Sequence, residues 1–465
     1  MNGFLTQQKI DYLLYHLSFH LESQTFSQLQ SKFVFTQDTN YDPNPTGKIV
    51  FPLSSDYFNF KNVMWINDIP VLFPLKQQHT FYSIENNNLI FHHDILKSAF
   101  YLLSGYQEYA FSHKDKLDRF PYSESIQYYL GIIHKPIVNY YFDIILKGLG
   151  EYCSMYSLPF QRRTVFNNWK VMLTHDIDRL DTYTIYELAY KIKQFLGLAE
   201  RKGSIGYHVR LIMKYFFGYL TRRWNNPHWS FNTLKETEQK FNFYSVYYFL
   251  RKEHLHYDSY YQYNEKRLYK LFHELTNNNY EIGLHGTYNS ALSLDSMKYN
   301  FEELSRYSPQ PVYGIRQHML HYYHPSTILL QEQTGLRYDT TLGFAAHEGF
   351  RNSYCWPFKL YDFDNERMIH VWEIPLTAMD KTLFRYRELS VEQALESIHN
   401  LANETQKFNG VLTFLWHNGF HKDDPNNQLL NFYEEVLHLF SKEHGQSILG
   451  KDVVDILGGM SYYSE

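Results

Sequence analysis

Hydrophobic and polar positions follow different patterns in the two parts of this chain. Over residues 1–165, an amphipathic start leads into short apolar pieces, a turn signal at Asn67-Asp68 and longer stretches of helical period. That mixture predicts a small mixed α/β domain over residues 1–165. Beyond it, apolar runs of strand length alternate with helical segments, which predicts a larger α/β domain over residues 166–465.

The apolar runs of the larger domain end in polar side chains of the kinds that enzymes use. At the ends of these strand-like runs lie, in chain order, Asp176 and Asp178, His285, Arg316, and His417. Parallel strands that alternate with helices present their carboxyl ends on one face, and (β/α) barrels keep their active sites there. The pattern therefore predicts a (β/α) barrel with these side chains around its mouth.

A long, mainly helical segment over residues 182–237 separates the first of these strands from the next. It includes a basic and aromatic piece at residues 222–229. We interpret the segment as an insertion above the barrel mouth. In the simpler interpretation, the insertion only packs on the barrel and has a structural role. In the functional alternative, it is a lid or a docking surface for a substrate or partner.

Composition narrows the classes of protein that fit. Hydrophobic residues make up 44% of the chain, enough to bury a full core. A net charge of -5 without a basic stripe argues against a nucleic-acid partner. The cysteines, Cys153 and Cys355, lie far apart and form neither a disulfide framework nor a cysteine zinc motif. Aromatic residues reach 18%, which fits either a compositional bias or the stacking of sugar rings on aromatic faces.

The start of the chain has the pattern of an amphipathic helix. Its apolar residues are interrupted by Asp11, His16 and His20, which does not fit the apolar core of a signal peptide. An uninterrupted apolar run of about 20 residues, as a membrane span needs, does not occur in the sequence. We therefore expect a cytoplasmic protein without a membrane span.

The strand-end residues suggest a chemistry. Asp176 and Asp178 lie two apart and point to the same side, so one can hold a metal ion while the other acts as a base. His285 leaves an apolar strand as a metal ligand would, Arg316 can hold the base ionised, and His417 can donate a proton near neutral pH. Singly, each also has a structural explanation: a helix N-cap, a satisfied buried histidine or an ion pair.

In this order, the motifs resemble those of the polysaccharide deacetylases of the nodulation-deacetylase type, carbohydrate esterase family four. The resemblance spans residues 171–418 and implies a distorted (β/α) barrel. Residues 104–109 and 136–138 resemble an uncharacterised domain that precedes such barrels in Bacteroidetes-type proteins. The family pattern implies a general base, a metal ligand, a group that holds the base and a general acid, at Asp176, Asp178, Arg316 and His417 respectively.

One departure from the family pattern concerns the metal site. The family's second motif supplies two histidines, whereas here His285 is followed by Asn289 in the second position. The expected ligands are therefore Asp178, His285 and Asn289, although an amide oxygen is a poorer zinc ligand than imidazole. The ion would be divalent: zinc first, with nickel, cobalt or manganese as alternatives. Two alternatives to ligation by Asn289 are a degenerate site and a nearby histidine that replaces the missing ligand, the candidates being His175, His318, His347 and His421.

The resemblance implies a metal-dependent hydrolase that acts on a carbon–nitrogen bond and removes an N-acetyl group from an amino sugar or glycan precursor. Its partner would be the carbohydrate substrate. The alternatives are another C–N amide hydrolase on the same barrel, or a catalytically decayed carbohydrate-binding protein. Asn289 favours decay, whereas retention of Asp176, Asp178, Arg316 and His417 together favours an active hydrolase.

Overall fold

Helices and strands alternate along most of the chain, and the predicted fold class is confirmed. A smaller mixed α/β region comes first, and the sheet of the larger region that follows curls into a distorted, open barrel. A computed structural model describes residues 3–38, 46–75, 77–111, 113–200, 203–221, 226–253, 257–419 and 428–460.

The N-terminal region combines six helices of the described residues with a four-stranded and a two-stranded sheet. Its helices are α1 (Gln7–Ser18), α2 (Ser23–Gln30), α3 (Ile95–Leu103), α4 (Tyr106–Ala110), α5 (Ile126–Tyr129) and α6 (Ile137–Met155). Its strands are β1 (Phe33–Thr36), β2 (Ile49–Pro52), β3 (Met64–Ile66), β4 (Ile69–Val71), β5 (Tyr82–Glu85) and β6 (Asn88–Phe91).

Two tight hairpins in this region follow from its turn residues. Asn67 and Asp68 join β3 to β4, and Asn86 and Asn87 join β5 to β6. All four residues have positive φ angles, between 48° and 62°. Asparagine and aspartate tolerate this backbone, and two-residue hairpin loops require it. The turn predicted at Asn67-Asp68 is therefore confirmed.

The larger region begins with a buried strand and then alternates strands with helices. Its strands are β7 (Lys170–Ile177), β8 (Ser245–Leu250), β9 (Glu281–Gly286), β10 (Gly314–Gln317), β11 (Tyr338–Asp339), β12 (Phe358–Asp362), β13 (Arg367–Glu373), β14 (Leu376–Met379), β15 (Val411–Leu415) and β16 (Gln446–Ser447). Its helices are α7 (Ile185–Phe195), α8 (Ile205–Thr221), α9 (Phe231–Gln239), α10 (Lys266–Asn277), α11 (Leu294–Tyr307), α12 (Ser326–Thr334), α13 (Val391–Lys407), α14 (Gln428–Lys442) and α15 (Gly450–Gly458). The predicted helical segment 182–237 thus contains α7, α8 and most of α9.

The strand order of the large sheet brings the sequence motifs together. The order is β12-β13-β11-β10-β9-β8-β7-β15-β14, with β16 beside β7, and only the β12–β13 pair is antiparallel. Every residue of β8 and β9 is buried, which explains why these strands are mainly apolar. Arg316 on β10 lies opposite His285 on β9 in the register. Because the strands are parallel, the polar residues at their carboxyl ends meet at one edge.

The N-terminal region packs against the far edge of this sheet. One hydrophobic core includes residues from both regions. The Tyr12 hydroxyl on α1 donates to the Lys359 carbonyl on β12 at 2.8 Å, and the Arg351 guanidinium pairs with the Glu108 carboxylate at 2.6 Å, both buried. The division between residues 165 and 166 stays a prediction. None of the described helices has the length and apolar character needed to cross a bilayer.

His16 ties α1 to β12 in a way that fixes its protonation state. Its Nδ1 donates to the Tyr12 carbonyl at 2.8 Å, and its Nε2 accepts the Lys359 amide at 3.0 Å. Both ring nitrogens are thus used by the neutral imidazole. Burial lowers the pKa of His16 from 6.5 to about 3, against the opposing effect of the Tyr12 carbonyl.

This depressed pKa predicts a loss of stability in acid. Between about pH 6.5 and 3 the unfolded chain protonates His16 and the folded chain does not, so the stability present above pH 6.5 is lost as pH falls. In His16→Gln, we expect the free energy of unfolding to fall less steeply between pH 6 and 4, by about 1.4 kcal/mol per pH unit. Denaturant unfolding at several pH values measures this, with the exposed His399→Gln as control. Equal slopes for His16→Gln and the wild type would contradict the assignment.

Candidate active site

A cavity of about 600 Å³ opens at the carboxyl edge of the sheet. Of the sequence-predicted residues, Asp176, Asp178, His285 and His417 line it. Arg316 is fully buried and does not line the cavity. The structure therefore brings together the strand-end residues that the sequence pattern singled out.

Asp176 on β7 is held by Arg316 on β10, which lies three strands away in the sheet. The Arg316 Nη1 atom lies 3.0 Å from Asp176 Oδ1 and also donates to the Thr174 hydroxyl at 2.8 Å. Its Nε donates to the Thr340 carbonyl at 3.1 Å, so the guanidinium is fixed from two sides. Burial raises the pKa of Asp176, but the charges of His285, Arg316 and His417 outweigh it and lower the pKa below its usual value. Asp176 is thus kept as a carboxylate.

Asp178, His285 and His318 form a cluster that could hold a metal ion. One ligand atom from each lies within 4.8 Å of the others. Asp178 Oδ1 is 3.3 Å from His285 Nε2 and 3.7 Å from His318 Nε2. Asp178 Oδ1 and His285 Nε2 are buried, and their mutual orientation does not make a hydrogen bond. Two imidazoles and a carboxylate are a common ligand set for zinc and related ions.

The groups behind the two imidazoles orient them toward this cluster. His285 Nδ1 lies 2.7 Å from the Arg316 carbonyl oxygen. A carbonyl only accepts, so Nδ1 carries a proton and Nε2 is the nitrogen that faces the cluster and could bind a metal ion. His318 Nδ1 faces Asp258 Oδ1 at 3.5 Å. Backbone carbonyls and carboxylates in these positions are the usual partners of metal-binding histidines.

His318 is placed where a third ligand is needed, and Asn289 is not. His318 follows β10 in a short turn in which Met319 and Leu320 have positive φ angles of 61° and 55°. Asn289 is exposed, lies outside the cavity lining, and its side chain hydrogen-bonds to Glu253. Ligation by Asn289 stays a prediction, and this position does not support it.

Of the other histidines considered as replacement ligands, His175 and His347 lie away from this cluster. His175 is fully buried and bonds to the Trp416 carbonyl at 2.7 Å and to Glu238 Oε1 at 2.6 Å, so both ring nitrogens are used. His347 lies beside His134 and Glu348. His421 lies outside the described residues.

His417 is oriented by Asp380, which the sequence interpretation missed. His417 Nδ1 lies 2.7 Å from Asp380 Oδ1, and the His417 amide donates to Asp380 Oδ2 at 2.6 Å. Its Nε2 faces the cavity, 3.9 Å from Asp178 Oδ2.

Lys381 is a second residue that the sequence interpretation missed. Its Nζ lies 3.0 Å from Asp178 Oδ2, whereas His285 and His318 face Oδ1 of the same carboxylate. Burial lowers the pKa of Lys381, but Asp178 and Asp380 outweigh it and raise the pKa above its usual value. Asp380 and Lys381 directly follow β14, so the rule that found the other strand-end residues also applies to them. A π-helical turn, Thr382–Tyr386, comes next, a feature often found at functional sites.

Comparisons with known proteins find one family model that matches part of the chain and solved structures that are only distantly similar. Residues 4–153 match the model of a family described as a family of unknown function (DUF7033). Among curated proteins, no sequence matches the chain significantly. A Mycobacterium smegmatis protein provisionally assigned as a polysaccharide deacetylase is similar in structure, with 15% identity and a TM-score of 0.41, over 64% of this chain and 93% of that one.

Two further solved structures are similar to the same extent. A probable polysaccharide deacetylase from Pseudomonas aeruginosa PAO1 is 12% identical, with a TM-score of 0.43, over 63% of this chain and 92% of that one. The Puue allantoinase is 11% identical, with a TM-score of 0.42, over the same shares of 63% and 92%. Since all these TM-scores lie below 0.5, the function has to be inferred from the site residues themselves.

The positions of His318 and Asn289 lead to a direct test. We expect His318→Ala to lower zinc affinity by more than about 100-fold, beyond the roughly 10–100-fold typical of losing a group behind a ligand. Asn289→Ala is the matched control and should bind zinc like the wild type. Elemental analysis and competition with a zinc chelator measure both. If Asn289→Ala loses zinc and His318→Ala keeps it, the cluster is assigned wrongly.

Proposed function

We propose that this chain is a metal-dependent hydrolase that removes an N-acetyl group from an amino sugar or glycan precursor. The observation that carries the proposal is one cavity with a held carboxylate, a candidate metal cluster and an oriented histidine. These are Asp176 with Arg316, the cluster of Asp178, His285 and His318, and His417 with Asp380. Such a set suits hydrolysis of an amide bond.

The donor set at the cluster fits a divalent ion. Asp178 Oδ1 and His285 Nε2 are buried polar atoms without a hydrogen bond, and His318 Nε2 faces the same point. With two imidazoles, zinc is the first candidate, and nickel, cobalt and manganese are alternatives. A divalent ion bound there would supply Lewis acidity that polarises the acyl carbonyl.

Asp176 is placed to act as the general base. Its Oδ1 is taken by Arg316, while Oδ2 lies on the side of the cluster, 3.6 Å from His285 Nε2. Oδ2 is therefore the atom that would accept a proton from the attacking water. Arg316 keeps the carboxylate ionised before the reaction and fixes its direction.

His417 is placed to act as the general acid. Asp380 accepts from its Nδ1, so Nε2 is the nitrogen that can exchange a proton with a bound substrate. Nε2 faces the cavity beside Asp178. Protonation of the departing amine from this atom would complete the cleavage of the C–N bond.

Tyrosines at the cavity wall favour an N-acetylated sugar over other amides as the substrate. Tyr257, Tyr260 and Tyr386 line the cavity. Tyr257 stacks on Tyr288 with ring centroids 4.3 Å apart, and Tyr260 stacks on Tyr186 at 5.0 Å, so both rings are held in place. Aromatic rings of this kind can pack against the apolar face of a sugar ring. A different C–N amide hydrolase would use the same catalytic groups and remains the second candidate.

The base assignment predicts a separation of metal binding from turnover. Asp176→Asn should retain zinc and lose roughly 10²–10⁴-fold in kcat, the range of a general base. Acetate release from N-acetylglucosamine oligosaccharides by the zinc-loaded protein measures turnover, and elemental analysis measures zinc. Full turnover in Asp176→Asn would refute the role of Asp176. A zinc-loaded wild type that releases no acetate from these sugars but cleaves other amides would favour the second candidate.

Asp380 should act through His417 as a positioning residue. In Asp380→Asn the amide offers one acceptor oxygen where two are used, so the imidazole loses its fixed tautomer. We expect kcat to fall about 100-fold or more while KM and zinc content stay nearly unchanged. Steady-state kinetics with a thermal-melting control measures this. A change in KM alone would mean that Asp380 does not act through His417.

A further inference from the structure

Helices α7 and α8 form a hairpin with an unusual surface. They pack on each other through a small core of Tyr183, Leu188 and Tyr215, partly covered by other side chains of α8. Most of their remaining apolar side chains point away from that core. We call this pair the α7–α8 hairpin.

The exposed apolar residues of the hairpin fall on one stripe of each helix. On α8 five of them recur every three or four residues, and each is between 42% and 58% exposed: Val209, Met213, Phe216, Phe217 and Leu220. On α7 the stripe is formed by Ile185, Ile192 and Leu196, and Leu198 in the connection between the helices is 73% exposed. This spacing normally marks the face that a helix buries.

The exposed apolar area of the two stripes is larger than that of most water-exposed protein surfaces. The largest apolar patch on a typical monomer is about 300–600 Å². Nine apolar side chains at about half exposure present on the order of 700 Å² over the two stripes together. The two helices are therefore amphipathic, and the rest of the described chain does not cover their apolar side.

Positive charge accompanies the apolar stripes. Residues 185–221 contain six lysines and arginines and two glutamates. Arg210 and Lys214 directly follow Val209 and Met213, so they lie about 100° around the helix, beside the stripe. Of the glutamates, Glu187 pairs with Arg179. A surface that is apolar in the middle and basic beside it matches a lipid surface with anionic headgroups.

We propose that the α7–α8 hairpin docks on the surface of a membrane that contains anionic phospholipids. The apolar stripes enter the acyl boundary, Arg210 and Lys214 reach the headgroups, and exposed tyrosines such as Tyr190 lie at the depth that this residue prefers. The hairpin lies in the plane of the interface and does not cross it. In a two-fold contact with a second copy, the same cations would face each other, which disfavours that occupant.

The hairpin is joined to the candidate active site. Ile185 and Tyr186 at the start of α7 line a second cavity together with Arg179 and Tyr260. Arg179 and Tyr260 also line the candidate active-site cavity. Docking on this face therefore places that wall of the active-site cavity close to the lipid surface.

Vesicle flotation with the full-length protein tests the proposal. We compare vesicles of phosphatidylcholine alone with vesicles containing about 30% phosphatidylglycerol, at low and high salt. The wild type should bind the anionic vesicles at least about tenfold better, and salt should weaken this preference. The double variant Phe217→Ser/Leu220→Ser should lose at least about tenfold in binding. Arg210→Gln/Lys214→Gln should bind both kinds of vesicle equally weakly.

The matched control changes two apolar residues of similar exposure elsewhere, Tyr269 at 55% and Leu292 at 56%. Tyr269→Ser/Leu292→Ser should bind vesicles like the wild type, and thermal melting should show that all variants fold. Asp176→Asn should also bind like the wild type, so failure of the deacetylase proposal leaves this one standing.

Three outcomes would overturn the proposal. The first is a wild type that floats with neither kind of vesicle at low salt. The second is equal flotation of the wild type and Phe217→Ser/Leu220→Ser. The third is a wild type that sediments as a dimer without binding vesicles and becomes monomeric in that variant, which would make this face a contact between copies.

Discussion

The candidate site depends on the neutralisation of two neighbouring carboxylates at the end of β7. Asp176 is only 3% exposed, and Asp178 lies two residues further along. Burying such a pair without partners is costly, because each charge loses its hydration and repels the other. Arg316 compensates the charge of Asp176. Lys381 and the neighbouring imidazoles compensate the charge of Asp178. The parallel sheet makes this possible by bringing four strand ends to one edge.

The N-terminal region also contributes to the site. Arg119 from this region lines the cavity and donates to the Met319 carbonyl at 3.2 Å. Met319 lies in the positive-φ turn that directs His318 toward Asp178. Such a backbone persists only when its surroundings hold it. The region therefore stabilises the turn that carries His318, besides bracing the edge of the sheet.

Much of the fold and of the site was predictable from the sequence. Buried parallel strands are mainly apolar, so the polar residues near their carboxyl ends, such as His285 and Arg316, stand out. Asp380 and Lys381 were missed because β14 follows β13 after only Ile374 and Pro375, which leaves it without a separate strand signal. His318 could not be preferred to Asn289, because its placement depends on a turn whose backbone the sequence does not reveal. The amphipathic pattern of α8 was visible, but which side faces water depends on tertiary packing.

X-ray absorption spectroscopy of the zinc-loaded protein tests the central claim most directly, because it counts the histidines bound to the metal. Ligation by His285, His318 and Asp178 predicts two imidazole nitrogens and carboxylate oxygen at about 2.0–2.2 Å, with no sulfur. His318→Ala should reduce the count to one. A wild-type spectrum with a single imidazole, or a protein that takes up no zinc, would contradict the account.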